Sequence, residues 1–261
     1  MKRPLRKRSD RGAWLAVGDS LGHHRSPRMS DRRSYAFISC VADGAKLEQL
    51  RASVESLAAT GAKVRLAPID NAANAYSAAQ ALNLGWSRAE EDLLVFCHED
   101  VVFPPDWTSR LEDSVRRVEA MSRGPWGVLG PMGRRGKTFF GRASGPDGVE
   151  SHFGPLPSLV DTLDEFCLVV RRDSPLRFDE RLGGFHLYGV DLCLQATEAG
   201  LDCFAVETPC RHDSWTRHRP PEYHACKRRL QRKWMFGRRR VGRSVGTTCG
   251  RIRFGLFEGW I

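Results

Sequence analysis

Three ionisable residues, His98, Glu99 and Asp100, follow directly on the apolar run Asp92–Cys97. A buried strand that ends in such residues presents them at the edge of a sheet where ligands bind. Carboxylate and imidazole groups are suitable ligands for Mg²⁺ or Mn²⁺ that also contacts phosphate oxygens. Such an ion neutralises a departing diphosphate as a Lewis acid. The alternative is a solvated strand-to-loop turn, where aspartate is common.

Two further groups could complete this chemistry. Asp191 lies at the start of a predicted helix, Leu187–Ala199, where the helix dipole favours its ionised form. There it could accept the proton of an attacking hydroxyl, or it could be an ordinary acidic residue of the first turn. His212 lies just beyond the last predicted strand, Cys203–Val206, and could be another metal ligand or a structural histidine.

The elements that must position these groups alternate between strand and helix. Apolar runs predict four strands up to residue 130, and helical spacing of apolar residues predicts a helix after each of the first three. This alternation predicts an α/β fold with a mostly parallel sheet flanked by helices. Residues 130–157 show no such pattern and predict a loop with at most a short hairpin. A further strand at Phe166–Val170 and a basic helix at Tyr223–Phe236 are also predicted.

Charge is unevenly distributed along the 261 residues. Residues 1–33 carry ten Lys/Arg and three Asp, residues 217–261 carry thirteen Lys/Arg and two Glu, and the chain total is +10. Residues 34–216 therefore have a net charge of −8. The basic C-terminus could contact an anionic membrane surface or could be a solvated tail, and specific nucleic-acid binding is not expected.

Five stretches resemble, in side chains and in order, the family 2 glycosyltransferases of the GT-A fold, especially the small subgroup described as glycosyltransferase-like. They are Ala81–Ala89, Leu94–Val101, Asp164–Arg171, Arg177–Leu182 and Gly184–Gln195. The resemblance implies one Rossmann-like GT-A domain over residues 34–215. Its nucleotide-binding half is expected at 34–130 and its acceptor half at 131–215. A disordered basic tail, 1–33, and a basic C-terminal helix and tail, 216–261, flank this domain.

The resemblance implies roles for several residues in donor and metal binding. Asp70 falls where these enzymes hold the base or ribose of the donor, and Asn83 falls on the helix asparagine of the nucleotide-binding half. Asp100 matches the last acid of the DXD motif, the direct metal ligand. His98 replaces the first acid of that motif, and His212 matches a late metal-binding histidine.

The resemblance also implies a mechanism. Asp191 matches the catalytic base, although Val190 stands where many members have a second acid. We therefore predict transfer of a sugar from a UDP- or GDP-sugar to the hydroxyl of a glycan, lipid-linked or protein acceptor, with inversion and help from Mn²⁺ or Mg²⁺. A catalytically decayed binding protein and a metal-independent transferase are the alternatives.

Eight scattered cysteines without a CxxC pair favour reduced thiols and hence a cytoplasmic protein, with membrane contact at its periphery as an open alternative.

Overall fold

The computed structural model describes residues 33–122, 124–214, 219–235 and 241–254. The chain divides into two compact units, Met1–Asp31 and Arg32–Ile261. The first unit, and with it nearly all of the predicted N-terminal tail, lies outside the described residues.

The second unit contains fifteen strands and five α-helices in its described part. The strands are β1 (Ser34–Val41), β2 (Lys63–Asp70), β3 (Leu93–Cys97), β4 (Val101–Val102), β5 (Trp126–Gly130), β6 (Met132–Arg135), β7 (Thr138–Ser144), β8 (Glu150–Phe153), β9 (Ser158–Val160), β10 (Thr162–Leu163), β11 (Cys167–Arg171), β12 (Asp202–Ala205), β13 (Arg211–His212), β14 (Ser244–Thr247) and β15 (Gly250–Arg253). The helices are α1 (Gly44–Ala59), α2 (Ala78–Ser87), α3 (Trp107–Met121), α4 (Tyr188–Ala199) and α5 (Pro221–Trp234).

A seven-stranded central sheet has the order β2-β1-β3-β11-β5-β12-β9. β1 is parallel to β2 and β3, and β12 is parallel to β5. β11 is antiparallel to both of its neighbours, and β9 is antiparallel to β12. Five of the seven strands therefore run in the same direction, which confirms the predicted α/β class and its mostly parallel sheet.

Helices cover both faces of this sheet. On one face, Leu50, Val54 and Leu57 of α1 share a buried cluster with apolar residues of α3. On the other face, residues of α2 and α4 such as Leu82 and Leu192 form a second cluster. Each fully buried leucine or valine contributes about 1.5–3 kcal/mol. Because helices cover both faces of the sheet, a ligand can reach it only at the ends of the strands.

The predicted loop at residues 130–157 is wrong in most of its length. β6, β7 and β8 form an antiparallel meander within a second sheet of order β10-β6-β7-β13-β4, with β8 paired to β7. The glycines of this stretch favoured a loop, but Gly141 is required inside β7. It has φ +145°, and a Cβ there would lie 2.4 Å from the carbonyl oxygen of Pro131.

The start of α2 also differs from the prediction. The helix begins at Ala78 rather than near residue 73, because Ser77 and Gln80 form a reciprocal capping box. The four residues before Ser77 are instead part of the loop that follows β2.

The C-terminal elements pack against α4. Leu187, Val190 and Leu194 share a buried cluster with residues of α5 and of the β14–β15 hairpin, among them Leu230 and Ile252. The described part of residues 219–254 therefore forms a third buried cluster together with α4, a helix of the predicted domain. None of the helices in the described ranges is long and apolar enough to cross a membrane.

Candidate metal and donor site

Two chain segments meet at the carboxyl end of β3. His98 and Asp100 follow β3 directly, and His212 ends β13, whose register pairs it with Val101 of β4. The backbone N–H of Asp213 donates to the carbonyl of Asp100 at 3.1 Å. This short antiparallel pairing brings residues more than one hundred positions apart into one site.

The three predicted metal ligands form one cluster. Nδ1 of His98 lies 3.1 Å from Nε2 of His212. The latter atom lies 3.4 Å from Oδ1 of Asp100. The potential ligand atoms of all three residues lie within 4.8 Å of one another. The structure therefore brings His98, Asp100 and His212 together, and their metal-binding role remains a prediction.

The donor set fits a divalent ion. Ligands about 2.1 Å from an ion and at right angles to each other are about 3 Å apart, close to the separation of the two imidazole nitrogens. Two imidazoles and one carboxylate suit Mn²⁺ better than Mg²⁺, because Mg²⁺ prefers oxygen ligands. This fit supports the manganese half of the sequence prediction.

The electrostatics of the cluster favour the protonation states that bind metal. Burial, and next the neighbouring charge of His212, lower the pKa of His98 to about 4. Burial also acts to raise the pKa of Asp100, but hydrogen bonds from His212 and Ser214 outweigh it and hold that pKa well below its usual range. At neutral pH the site therefore offers a neutral imidazole at His98 and an ionised carboxylate.

Two aromatic residues outside the predicted set of site residues contact the histidines. The ring of Phe166 stacks on His212 with centroids 5.0 Å apart and an interplanar angle of 11°. The hydroxyl of Tyr188, the first residue of α4, lies 3.0 Å from Nε2 of His98. Both lie in stretches that carry the resemblance, but nothing in their spacing assigns them to the histidines.

A lysine lies beside the acidic residues. Nζ of Lys46 is 3.6 Å from Oε1 of Glu99 and 4.0 Å from Oδ2 of Asp100. The other oxygen of Glu99 accepts the backbone N–H groups of Ala42 and Asp43, at 2.7 and 3.0 Å. Glu99 thus anchors the turn before α1, which brings a positive charge to the edge of the cluster.

The assignment of Asp191 as the base requires a correction. Its side chain is completely buried, and it accepts hydrogen bonds from Gln195 Nε2 at 2.7 Å, Lys233 Nζ at 2.7 Å and Trp234 Nε1 at 2.8 Å. A carboxylate enclosed by α5 and held by three donors is not accessible to an acceptor hydroxyl. Asp191 is therefore a structural anchor between α4 and α5.

The side chain of Asn83 has partners within the protein, and its predicted contact with the donor stays a prediction. Its amide donates to the carbonyl of Phe178 and to Oε1 of Glu180, each at 2.9 Å, and its oxygen accepts the N–H of Phe178 at 3.2 Å. These bonds tie α2 to residues 178–180 and engage both N–H groups of the amide. Local sequence pattern could not predict these hydrogen bonds, because the partners of Asn83 lie about one hundred residues away.

Asp70 remains a candidate for the donor site. It is the last residue of β2, pairs in register with Val41, and is exposed. One carboxylate oxygen accepts the N–H of Ala72 at 3.0 Å. The residue therefore lies at the same edge of the sheet as the metal cluster, and its contact with a donor stays a prediction.

Comparisons with known proteins place the chain beside one curated sequence and several solved structures. No family model matches the sequence. It is 28% identical over 242 residues to "ATP synthase subunits region ORF 6" of Fuscovulum blasticum, covering 87% of this chain and 92% of that protein.

Three solved structures are similar to the chain at low sequence identity. They are the mannosyltransferase PcManGT from Pyrobaculum calidifontis in complex with GDP-Man and Mn²⁺ (14% identity, TM-score 0.47, 79% of this chain and 63% of that chain), S. aureus TarS 1-349 (10%, 0.46, 77% and 65%), and GalNAc-T7 with UDP, GalNAc and Mn²⁺ (11%, 0.48, 76% and 48%). The chain thus spans between about half and two thirds of the length of each of these structures.

Proposed function

We propose that the chain is a nucleotide-sugar-dependent glycosyltransferase of the GT-A type. The observation that carries the proposal is the cluster of His98, Asp100 and His212 at the carboxyl edge of the central sheet. A sheet edge with a buried carboxylate, two imidazoles and a nearby lysine is suited to a metal-bound diphosphate.

In this proposal the three clustered side chains hold Mn²⁺ in preference to Mg²⁺. The ion, when bound, would neutralise the negative charge that develops on the departing nucleoside diphosphate. Lys46 would add a second positive charge at the same place, and Asp70 would contact the base or ribose of the donor. The nucleotide is UDP or GDP, as the sequence predicts.

The reaction proposed is a single displacement with inversion. The acceptor oxygen forms a bond to the anomeric carbon, the bond from that carbon to the diphosphate oxygen breaks, and the hydroxyl proton passes to a base. Asp164 replaces Asp191 in that role. It is partly exposed, and its charge acts on His98. Glu165 is less suitable, because burial raises its pKa to about 8 and keeps it protonated at neutral pH.

The acceptor is proposed to be the hydroxyl of a glycan, lipid-linked or protein acceptor. The described residues from 219 onward carry nine Lys/Arg and one Glu. This charge supports contact with an anionic membrane surface at the C-terminus, from the cytoplasmic side. Salt-dependent sedimentation with anionic and neutral vesicles tests the contact, which is contradicted by equal binding to both.

The metal-independent transferase is kept as a second candidate because of Lys46. An ammonium group 4.0 Å from Asp100 could neutralise a diphosphate without an ion. In that case turnover should survive chelation and should fall sharply in Lys46→Met.

Donor turnover decides between these functions. Hydrolysis and binding of UDP- and GDP-sugars would be measured with Mn²⁺, with Mg²⁺ and with chelator. We expect hydrolysis that requires Mn²⁺ and is lost in Asp100→Asn but kept in Asp113→Asn, whose exposed carboxylate lies on α3. Binding of none of the donors by the wild-type protein would contradict both transferase proposals and leave the decayed binding protein.

A further inference from the structure

We propose that Tyr188 fixes the tautomer of His98, so that Nδ1 of this histidine offers its lone pair to the cluster before any ion binds. Tyr188 is thus a positioning residue that acts through His98. The effect of Tyr188 on ion binding rests on the proposed metal-binding function. The tautomer of His98 in the metal-free protein does not depend on that function.

The hydrogen-bond count around the tyrosine hydroxyl selects the tautomer. Oη of Tyr188 lies 3.0 Å from Nε2 of His98 and 3.4 Å from the backbone oxygen of Glu165. A carbonyl oxygen can only accept, so the hydroxyl proton must point at Glu165 for that bond to form. The tyrosine oxygen then accepts from Nε2–H of His98. The opposite tautomer makes only one of the two bonds.

The position of Tyr188 is fixed by its surroundings. Its ring packs edge-on against Phe178, with centroids 5.7 Å apart. The next residue, Gly189, donates its N–H to Oε1 of Glu165 at 3.2 Å. A Cβ on Gly189 would lie 2.9 Å from Cγ of Glu165, so only glycine allows the first turn of α4 to approach this closely.

Leu187, the residue before α4, adds a local constraint. It has φ +66°, in the left-handed region that is uncommon for a residue with a side chain. Its carbonyl still accepts the N–H of Asp191 at 3.0 Å. The strained turn directs Tyr188 back toward β3 and is held by packing of the buried leucine.

This arrangement predicts which histidine changes when an ion binds. Nδ1 of His98 and Nε2 of His212 are 3.1 Å apart, so one proton lies between them in the metal-free protein. With Nδ1 of His98 unprotonated, that proton belongs to Nε2 of His212. An ion that takes both nitrogens must move it to Nδ1 of His212, while His98 keeps its tautomer.

Histidine NMR on the full chain tests the proposal. Long-range ¹H–¹⁵N spectra of metal-free, ¹⁵N-labelled protein would report both tautomers, with signals assigned from His98→Gln and His212→Gln. We expect His98 protonated at Nε2 and His212 also protonated at Nε2. Addition of diamagnetic Zn²⁺ should move the proton of His212 from Nε2 to Nδ1 and leave His98 protonated at Nε2, although the signals of both histidines shift. A His98 protonated at Nδ1 in the wild-type protein overturns the proposal without any variant.

Variants test the consequence for binding. Tyr188→Phe should weaken Zn²⁺ and Mn²⁺ binding by about tenfold to a hundredfold, as expected for loss of an outer partner of a histidine ligand. The matched control is Tyr35→Phe. It removes a hydroxyl that donates to Glu112, and Tyr35 lies at the amino end of β1, away from the metal cluster. Its ion affinity should not change.

Equal weakening in both variants, or none in Tyr188→Phe, contradicts the positioning role. If the wild-type protein binds no divalent ion, the proposed function fails, and the tautomer measured in the metal-free protein still decides the inference.

Discussion

The indole N–H of Trp234 donates to Oδ1 of Asp191 across 2.8 Å. The neighbouring Lys233 places its ammonium 2.7 Å from Oδ2 of the same carboxylate and 2.8 Å from Asp179. The carboxylate that the sequence resemblance marks as a catalytic base is therefore the point where α5 is fastened to α4. Two of the three donors to Asp191 are consecutive residues of α5, which lies outside the predicted domain.

Removal of the lysine should destabilise the fold. In Lys233→Met the buried carboxylate of Asp191 loses its cation, which should lower the free energy of unfolding by about 3–5 kcal/mol. Urea unfolding followed by tryptophan fluorescence measures the change. The control is Arg228→Met, an exposed residue of the same helix, for which a change within about 0.5 kcal/mol is expected. Similar stability of the two variants would show that the ion pair between Lys233 and Asp191 does not stabilise the packing of α5 on α4.

The role of Asp191 can be separated from catalysis. Asp191→Asn should weaken folding by about 1–3 kcal/mol, since one hydrogen-bonded charge is lost while the shape is kept. Turnover per folded molecule should stay within about threefold of the wild-type value, because the residue does not face the cluster. A loss of about a hundredfold or more in a fully folded variant would restore the original assignment.

Asp164 is the carboxylate for which a large kinetic effect is expected. Asp164→Asn should lower transfer by about a hundredfold to ten-thousandfold, the usual contribution of a general base, while donor binding changes little. Single-turnover transfer and donor titration measure the two quantities. Asp173→Asn, at a highly exposed side chain, serves as the control. Equal activities of the two variants would remove Asp164 from the mechanism.

His98, which replaces the first acid of the DXD motif, should determine whether the site prefers Mn²⁺ or Mg²⁺. His98→Asp replaces a nitrogen ligand by oxygen and should shift the ratio of Mn²⁺ to Mg²⁺ affinity toward Mg²⁺ by about tenfold or more. Competition titrations with the two ions give the ratio for the wild-type protein and the variant. An unchanged ratio would mean that residue 98 is not a ligand.

Glu165 should make stability depend on pH. Burial raises its pKa in the folded protein to about 8, well above that of an ordinary glutamate, and the nearby Asp164 adds to this shift. Between about pH 4.5 and about pH 8 the folded state therefore binds more protons than the unfolded state at this residue. Its contribution should thus lower the free energy of unfolding as pH rises through that range, by up to about 1.4 kcal/mol per pH unit.

The Glu165→Gln variant isolates this contribution. The amide stays neutral and can still accept the N–H of Gly189. Urea unfolding from about pH 5 to about pH 9 should show a wild-type stability that decreases, relative to the variant, as the pH rises. Parallel curves for the two proteins would contradict an elevated pKa at Glu165.

Much of the fold follows from local pattern. The buried runs of β1, β3 and β5 and the apolar spacing of α1 and α3 are properties of consecutive residues, so the sequence predicts them directly. The same holds for His98 and Asp100, because residues that follow a buried strand must lie at the end of that strand. To predict that they lie at the carboxyl edge of the sheet, it was enough to recognise β3 and the direction in which it runs.

Tertiary structure decided the rest, because the deciding contacts join distant residues. His212 meets His98 across 114 positions, and the amide of Asn83 donates to the carbonyl of Phe178, 95 positions away. Asp191 is closed off by α5, which local pattern could describe only as a basic helix. Burial and hydrogen-bond partners determine whether a carboxylate is a base or an anchor. The sequence by itself determined which residues could do chemistry, and packing determined which of them are free to do it.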